Sequence, residues 1–393
     1  MSLPYFISWT KQSGAKTFEI ESSENGFYID TNSRRYFDLS STSYQAGFGH
    51  SDKEIKDAIN NQLSKLPIAS PKSVFPLKER ATNKLLEALG LNMGKIFYTI
   101  SGAESIENAL KMARHYSKKQ IVLARNNSYH GATLGALSLT GDWRNEAHKT
   151  VDEWTLRIPE PEDDPNCELT RKLILETGPE NIAAFCLETI TGGNGVILPP
   201  DSWWPAIQRL CKEFKILLIV DEVVCGFSRT SKNFGFNHFE IKPDFVCMAK
   251  MITGGYIPFG AVWVHPTISS FYNNEVLSCG LTNYAHPLGL ASMEAVLDKI
   301  SSTKFKEDNE KLVTTLHQEM KKFTNLKSVK DIRSIGLLCA IDLNVNISLE
   351  QLLEKNLYAV VTNKRIILAP PFCLTSEELA KALSYLYEVL EGV

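Results

Sequence analysis

The sequence predicts an α/β protein in which a doubly wound, mostly parallel sheet is combined with a small discontinuous α+β domain. Five continuous apolar runs predict the sheet, at residues 121–124, 183–187, 216–220, 245–248 and 261–264. Continuous runs are typical of parallel strands buried on both faces, whereas half-exposed strands alternate. Amphipathic helical segments such as residues 204–214 separate the runs, and this alternation of strand and helix favours parallel pairing.

The two ends of the chain have a different pattern. Residues 17–40 alternate apolar and polar side chains between turn signals, which predicts a meander of short strands. Near the other end, a long helical stretch is followed by a hairpin around Gly336 and by two further helical segments. We therefore expect a large domain over residues 50–292 and a small domain made of residues 1–49 and 293–393.

Size and charge exclude several classes of protein. The chain has 393 residues, of which 44% are hydrophobic and 22% charged, and this is ordinary for a globular protein of two domains. A net charge of −3 gives no electrostatic basis for binding nucleic acid or an anionic membrane. No apolar run approaches the roughly 20 residues that span a bilayer.

Cysteine and histidine positions bear on metals and on compartment. The eight cysteines are scattered singly without a Cys-x-x-Cys pair, and the eight histidines do not cluster, so we expect no metal site. The first residues lack a basic region followed by an apolar core, as a signal peptide would have. Free thiols suit a reducing compartment, and we expect a cytoplasmic protein.

Lys250 is the most informative single residue, because it ends an apolar run and precedes a Thr-Gly-Gly turn. An ammonium resists burial, so a lysine here pairs with an acid, has a lowered pKa or acts as a nucleophile. The position suits a Schiff base with an aldehyde cofactor such as pyridoxal 5′-phosphate (PLP). A strand-end lysine at the protein surface has the same local pattern.

Asp221 ends the apolar run 216–220, where a buried carboxylate needs a partner. A protonated pyridine nitrogen is one such partner, since the carboxylate keeps the ring cationic and able to accept electrons. A metal ion is the alternative partner, but neither a Walker A sequence nor a cluster of carboxylates accompanies Asp221.

Three other segments place polar or aromatic groups at strand ends or helix starts. Small residues at 101–104 let backbone N–H groups approach an anion, unless Ser101 is only a helix cap. Tyr129 stacks on a planar cofactor or covers the core. Thr282 donates to a phosphate or serves in a turn. The glycines of 192–195 have the wrong spacing for a nicotinamide site.

In this order, the segments resemble the class III aminotransferases, which are PLP enzymes of fold type I. The most specific part is Asp-Glu-Val-Val-Cys-Gly-Phe-Ser-Arg-Thr at 221–230, followed by Pro-Asp at 243–244 and by the lysine segment 249–256. Ser-Tyr-His-Gly-Ala-Thr at 128–133 is also close to the family pattern. Residues 9–12, 139–142 and 280–282 are most similar to the branch that acts on ω-amino acids, such as taurine, β-alanine and 4-aminobutyrate.

The resemblance implies a role for each matching residue. Lys250 would bind the cofactor aldehyde and then move the proton, and Asp221 would pair with the pyridine nitrogen. The other implied positions are Tyr129 and Val223 on the two faces of the ring, Gly102 and Ala103 at the phosphate, Thr282 at the phosphate of the neighbouring subunit, and Trp9, Tyr44 and Glu188 on the substrate side. Tyr44 also fits a simple turn. The resemblance further implies a homodimer, an amine donor, a keto-acid acceptor such as pyruvate or 2-oxoglutarate, and ping-pong kinetics.

Two positions depart from the family pattern. Val224 replaces a glutamine that many members carry near the ring hydroxyl. Thr362 lies where many members carry an arginine for the substrate carboxylate. Arg365 is near, but three residues further along one strand it would point to the opposite face. Arginine binds carboxylates through two hydrogen bonds and threonine does not, so either the register is shifted or the acid group is bound differently.

Lys250 and Asp221 alone do not distinguish an aminotransferase from other PLP proteins. An aminomutase, a racemase or a decarboxylase of this fold needs the same lysine and aspartate, and so does a PLP-binding protein with little turnover.

Overall fold

The computed structural model describes residues 3–91, 93–362 and 364–393, without the side chains of residues 149–152. The strands of this part are β1 (Ser22–Glu24), β2 (Phe27–Ile29), β3 (Arg35–Asp38), β4 (Lys95–Thr99), β5 (Ile121–Arg125), β6 (Thr155–Ile158), β7 (Ile182–Glu188), β8 (Leu217–Asp221), β9 (Phe245–Met248), β10 (Gly260–Val264), β11 (Val329–Ile335), β12 (Leu338–Leu343), β13 (Leu357–Tyr358), β14 (Val360–Thr362) and β15 (Arg365–Leu368).

The helices of the same part are α1 (Ser41–Tyr44), α2 (Lys53–Lys65), α3 (Pro76–Leu89), α4 (Gly102–Ser117), α5 (Leu134–Leu139), α6 (Glu168–Thr177), α7 (Trp203–Phe214), α8 (Pro266–Phe271), α9 (Pro287–Ser301), α10 (Thr303–Phe323), α11 (Leu349–Glu354) and α12 (Ser376–Glu391). Short 3₁₀ helices cover Trp143–Trp154, Pro179–Asn181, Gly235–His238 and Lys250–Thr253. No helix in these ranges is long and apolar enough to cross a membrane.

A seven-stranded sheet forms the centre of the molecule, in the order β4-β10-β9-β8-β7-β5-β6. Strands β5 to β9 pair in parallel, whereas β10 is antiparallel to both of its neighbours. The connection from β9 to β10 contains only a short 3₁₀ turn, and a parallel crossover needs a longer segment. The predicted doubly wound sheet is confirmed, with one reversed strand.

The sequence analysis does not predict the edge strand β6. Its four residues are not buried continuously, since Thr155 and Ile158 are buried and the two between them are half-buried. A strand at a sheet edge lacks the continuous apolar run that identified the buried strands.

Four of the parallel strands end at the same edge of the sheet. Arg125, Glu188, Asp221 and Met248 are the last residues of β5, β7, β8 and β9. In open α/β sheets, ligands bind beside the carboxyl ends of the strands. This edge is therefore where a site is expected.

Two smaller sheets are built from the ends of the chain. One has the order β1-β2-β3-β13, in which β3 and β13 pair in parallel through Phe37 and Leu357. The other, β11-β12-β15-β14, is antiparallel and contains the expected hairpin around Gly336. Backbone hydrogen bonds thus join the first fifty residues to the last fifty. The division into domains 50–292 and 1–49 with 293–393 stays a prediction.

The expectation for Thr362 and Arg365 is wrong. The two residues lie on different strands, since Thr362 ends β14 and Arg365 begins β15. They are direct partners across this antiparallel pair. Side chains of paired residues lie on the same face of a sheet, so the argument that Arg365 points away from Thr362 does not hold.

Candidate active site

Lys250 lies directly after β9, at the start of a 3₁₀ turn, and its backbone is left-handed with φ of 51°. Its Nζ lies 5.0 Å from the centroid of the Tyr44 ring. Loss of hydration lowers the pKa of Lys250, although the carboxylates of Asp221 and Glu188 act in the opposite direction. A lowered pKa increases the share of neutral amine, which is the nucleophilic form.

Asp221 is 4% exposed at the end of β8, and both of its oxygens are engaged. Oδ2 lies 2.8 Å from Nδ1 of His130, and Oδ1 accepts the backbone N–H of Val223 at 3.0 Å. Nε2 of the buried His130 has no hydrogen-bond partner among the described residues. His130 therefore orients the carboxylate, a role that the sequence analysis missed although it singled out the segment 128–133.

The start of α4 lies close to Val223. A Cβ atom built on Gly102 would lie 3.0 Å from both methyl groups of Val223, so the contact requires glycine. Ser101 caps the helix by accepting the N–H of Glu104 at 3.2 Å. The first N–H groups of a helix have no partner within it, which leaves those of Gly102 and Ala103 for an anion.

Glu188 ends β7 and is 4% exposed. Its Oε1 accepts the N–H of Tyr129 at 3.2 Å, and its Oε2 accepts the N–H of Gly192 at 2.7 Å. Burial raises the pKa of Glu188. The carboxylate thus fixes the backbone of Tyr129 and of the loop that follows β7.

Tyr44 reaches the site from α1, which is a single left-handed turn. All four residues, Ser41–Tyr44, have φ between 46° and 75°. Both oxygens of Asp38 accept hydrogen bonds from residues 40 and 42, and Arg229 donates to Ser41 at 3.2 Å. These contacts hold the turn in place and put the Tyr44 ring beside Lys250.

Arg144 is a site residue that the sequence analysis did not identify. Its Cζ lies 4.7 Å from the ring centroid of Tyr129, 4.9 Å from that of Trp143 and 5.6 Å from that of Trp9. The positive charge of Arg144 adds to the loss of hydration that lowers the pKa of Lys250. The nearest signal in the sequence was the segment 139–142, which resembles the ω-amino acid branch of the family and ends two residues before Arg144.

Asp142 holds this arginine. Its Oδ1 accepts the backbone N–H of Arg144 at 3.0 Å, and its Oδ2 accepts Nη1 of the same residue at 2.5 Å. The Arg144 side chain is 23% exposed and that of Asp142 is 9% exposed. One edge of the guanidinium is paired, and its remaining N–H groups are available to an anion.

The predicted residues fall into two groups. Contacts or electrostatic interactions connect the first group around Lys250, namely Asp221, Val223, Gly102, Tyr129, Glu188, Tyr44 and Trp9. Thr282 is exposed in the stretch between α8 and α9, and none of the described contacts joins it to that group.

The residues present fit PLP. A buried carboxylate, a narrow space beside Val223, a helix start and a lysine of lowered pKa are the groups that a phosphorylated pyridine aldehyde requires. Within the described ranges, no group of three or more histidines, cysteines or acidic residues is placed to hold a metal ion.

Comparison with known proteins points the same way. The family model described as Aminotransferase class-III matches residues 9–390. The vanillin aminotransferase of Capsicum chinense is 29% identical and covers 96% of this chain and 92% of its own length. Gamma aminobutyrate transaminase 2 of Solanum lycopersicum is also 29% identical, with 98% of this chain and 93% of its own covered.

A solved structure extends the similarity to three dimensions. The taurine:2-oxoglutarate aminotransferase of Bifidobacterium kashiwanohense, in complex with PLP and glutamate, has a TM-score of 0.93 at 29% identity. The match covers 99% of this chain and 95% of that one. The predicted fold type I is confirmed.

Proposed function

Because this chain belongs to the class III aminotransferases, whose cofactor is PLP, we propose that it transfers an amino group from an ω-amino acid to a keto acid. The donors are of the taurine, β-alanine and 4-aminobutyrate class, and the acceptors are pyruvate or 2-oxoglutarate. The names of the similar proteins above, one a taurine enzyme and one a gamma aminobutyrate enzyme, support this class.

When bound, PLP supplies an aldehyde that accepts the amino group and a ring that takes up the electrons released from the neighbouring C–H bond. The backbone of Gly102 and Ala103 would hold its phosphate, Tyr129 and Val223 would lie against its ring, and Asp221 would pair with its nitrogen. His130 keeps Asp221 in position through the 2.8 Å contact.

Lys250 is the proton carrier in this proposal. Nζ takes the proton from the donor carbon that bears the amine and later returns a proton to the product. The lowered pKa of Lys250 favours the neutral amine that the first of these steps needs. Tyr44 covers one side of this amine and limits the access of water to it.

The proposed class of substrate depends on the position and surroundings of Arg144. Its guanidinium acts electrostatically on Lys250, is surrounded by three aromatic rings and is paired along one edge with Asp142. Arginine binds carboxylate and sulfonate groups through parallel N–H···O hydrogen bonds. The proposal places the amine of the donor at Lys250 and its acid group at Arg144, and an ω-amino acid carries these two groups at its opposite ends.

Arg365 does not serve as well in this role. Its guanidinium is paired with Asp342 and donates through Nη1 to the carbonyl oxygen of Asn194 at 2.9 Å. Thr362, its partner across the strands, is exposed. The acid group is therefore assigned to Arg144 rather than to the position where many family members carry arginine.

The proposal includes a homodimer. Thr282 would reach the phosphate of the neighbouring subunit's cofactor, and its place in an exposed stretch supports this. Val276, in the same stretch, is 79% exposed, and Val74 is 90% exposed. In the proposed dimer the partner subunit covers these two apolar side chains.

A donor panel tests the function. Taurine, β-alanine, 4-aminobutyrate and the uncharged analogue 1-butylamine are each assayed with pyruvate and with 2-oxoglutarate. We expect transfer from the acid-bearing donors. Replacing Arg144 by Gln should raise their KM by about 10- to 100-fold and leave that of 1-butylamine nearly unchanged, because only the acid group loses its partner.

Arg114→Gln is the matched control. Arg114 also lies over a tryptophan, with Cζ 4.9 Å from the Trp154 ring, but it is outside the site, and its replacement should leave every KM unchanged. If no amine donor reacts, or if Arg144→Gln affects all donors equally, the proposal is wrong. Recovery of the starting cofactor absorbance without a keto acid would instead indicate an isomerase.

A further inference from the structure

The loop after β7, residues 191–195, lies between the active site and the C-terminal sheet. On its inner side, Gly192 donates to Glu188, and a Cβ atom built on Gly193 would lie 3.8 Å from the hydroxyl of Tyr44. The loop is thus in contact with two residues that surround Lys250.

On its outer side, two arginines of the C-terminal sheet hold the loop backbone. Arg365 Nη1 donates to the carbonyl oxygen of Asn194 at 2.9 Å, and Arg333 Nε donates to that of Gly195 at 2.8 Å. Both guanidinium groups share the carboxylate of Asp342. Burial acts to raise the pKa of Asp342, but the hydrogen bonds from both arginines lower it overall, so this acid stays charged.

The side chain of Asn194 extends from this fixed backbone towards Arg144. Its Nδ2 donates to Oδ2 of Asp142 at 3.1 Å, the same oxygen that accepts Nη1 of Arg144 at 2.5 Å. The amide of Asn194 therefore restrains the carboxylate that in turn restrains the guanidinium.

We propose that Asn194 is a positioning residue that sets the preference of the enzyme for acid-bearing substrates, acting through Asp142 on Arg144. This rests on the proposed function, in which Arg144 binds the acid group. A guanidinium free to turn loses part of its affinity, because the two N–H groups must match both oxygens of the acid.

Asn194 is a better test than Asp142. Removing the Asp142 carboxylate would release Arg144 and also remove a negative charge that repels the substrate, and these effects oppose each other. Asp142 also accepts the Arg144 backbone N–H next to a 3₁₀ helix, so its loss would disturb local structure. Replacing Asn194 by alanine leaves the charge of the site unchanged.

The experiment compares Asn194→Ala with the parent holoenzyme. We expect the KM for taurine and β-alanine, and the inhibition constants of methanesulfonate and propionate, to rise by about three- to tenfold, as for one lost hydrogen bond to a charged group. The kcat and the KM for 1-butylamine should stay within about twofold. Asn194→Asp adds a negative charge beside the arginine and should raise the KM for acid donors further.

Asn344→Ala is the matched control, since the Asn344 amide donates to the backbone of Lys327 at 2.9 Å in the C-terminal sheet. It should change none of these constants. Equal changes for acid and uncharged donors in Asn194→Ala would mean a merely structural role and would overturn the inference. If Arg144→Gln impairs acid donors while Asn194→Ala does not, the proposed function stands and this inference alone fails.

Discussion

Two neighbouring carboxylates at the end of β8 have different surroundings. Asp221 faces the site, whereas Glu222 is fully buried and turned away from it. Glu222 accepts the hydroxyl of Thr189 and the backbone N–H groups of Gly235 and Phe236, the last two at 2.7 and 2.8 Å. Burial, opposed by these hydrogen bonds, raises the pKa of Glu222 to about 7. This side chain holds the segment behind the cofactor site.

The raised pKa makes Glu222 a source of pH-dependent stability. Since its pKa is higher in the folded than in the unfolded protein, its contribution is present at low pH and is lost as the pH rises towards about 7. The Glu222→Gln variant has no group that titrates at this position. The amide nitrogen of the new glutamine would face a backbone N–H donor, so we expect the variant to be less stable than wild type at every pH. We expect the difference in unfolding free energy from wild type to narrow by about 1–3 kcal/mol between pH 5 and pH 8.

Urea unfolding at both pH values measures this difference. A difference that stays constant or widens with pH would show that Glu222 is not the group that titrates.

The sequence predicts some residues of the candidate site and gives no signal for others. Lys250 and Asp221 lie at the ends of apolar runs. Burying a charged group there costs free energy, so its presence indicates a chemical role. Arg144 and His130 have no such signal. Arg144 becomes a site residue only because folding brings the distant Trp9 against it, and His130 because β5 and β8 end at the same edge.

At the scale of elements, α1 is the feature that sequence patterns could not predict. Left-handed backbone favours glycine or asparagine, yet Ser41–Tyr44 contains neither. Each such residue costs about 1 kcal/mol, and contacts from elsewhere must offset this. Ser41 supplies one of these contacts by donating its hydroxyl to the carbonyl oxygen of Ala369 at 2.5 Å.

The turn leads to an unusual prediction, in which a glycine stabilises the protein. Ser43 has φ of 59°, and its backbone N–H, not its side chain, donates to the hydroxyl of Ser40 at 3.4 Å. Ser43→Gly should therefore raise the unfolding free energy by about 0.5–1 kcal/mol, since glycine adopts this conformation without steric cost. Thermal unfolding of the two proteins measures the effect.

Ser41→Gly provides the comparison. It relieves the same backbone conformation but loses the hydroxyl contacts to Ala369 and Arg229, so this variant should be less stable than wild type. Destabilisation by Ser43→Gly would contradict the left-handed geometry.

Local sequence patterns predicted which strands and helices exist better than they predicted the direction in which each strand runs. The apolar runs identified β5 and β7 to β10, and the predicted helical segment 204–214 matches α7 except for its first residue. The antiparallel direction of β10 depends on the length of the preceding connection, which apolar runs do not encode. The pairing of β3 with β13 joins residues far apart in the chain and has no local signal.

On the scale of the whole molecule, the proposed homodimer is open to a direct test. Val276 lies six residues before Thr282 in the same exposed stretch. Val276→Glu places a charge in a surface that the partner would cover, and we expect dissociation to monomers with weaker retention of the cofactor phosphate. Sedimentation velocity at micromolar concentration measures the association state.

The control is Leu175→Glu, at an equally apolar position on α6 that is 50% exposed and far along the chain from Thr282. It should leave the dimer intact. A wild-type protein that sediments as a monomer, or a Val276→Glu variant that stays dimeric, would count against the proposed surface.

The pairing of β3 with β13, and of Ser41 with Ala369, has a consequence for biosynthesis. The ribosome produces the Lys250 strand long before it reaches residue 369, yet Ser41, in the turn that ends at Tyr44, acquires its acceptor Ala369 only when that late segment has been made. A nascent chain lacking its last thirty residues would contain Lys250 and Asp221, but the turn Ser41–Tyr44 beside them would lack its contact with Ala369. The surroundings of Lys250 in this enzyme are therefore completed only once the segment around residue 369 has been made and has folded back.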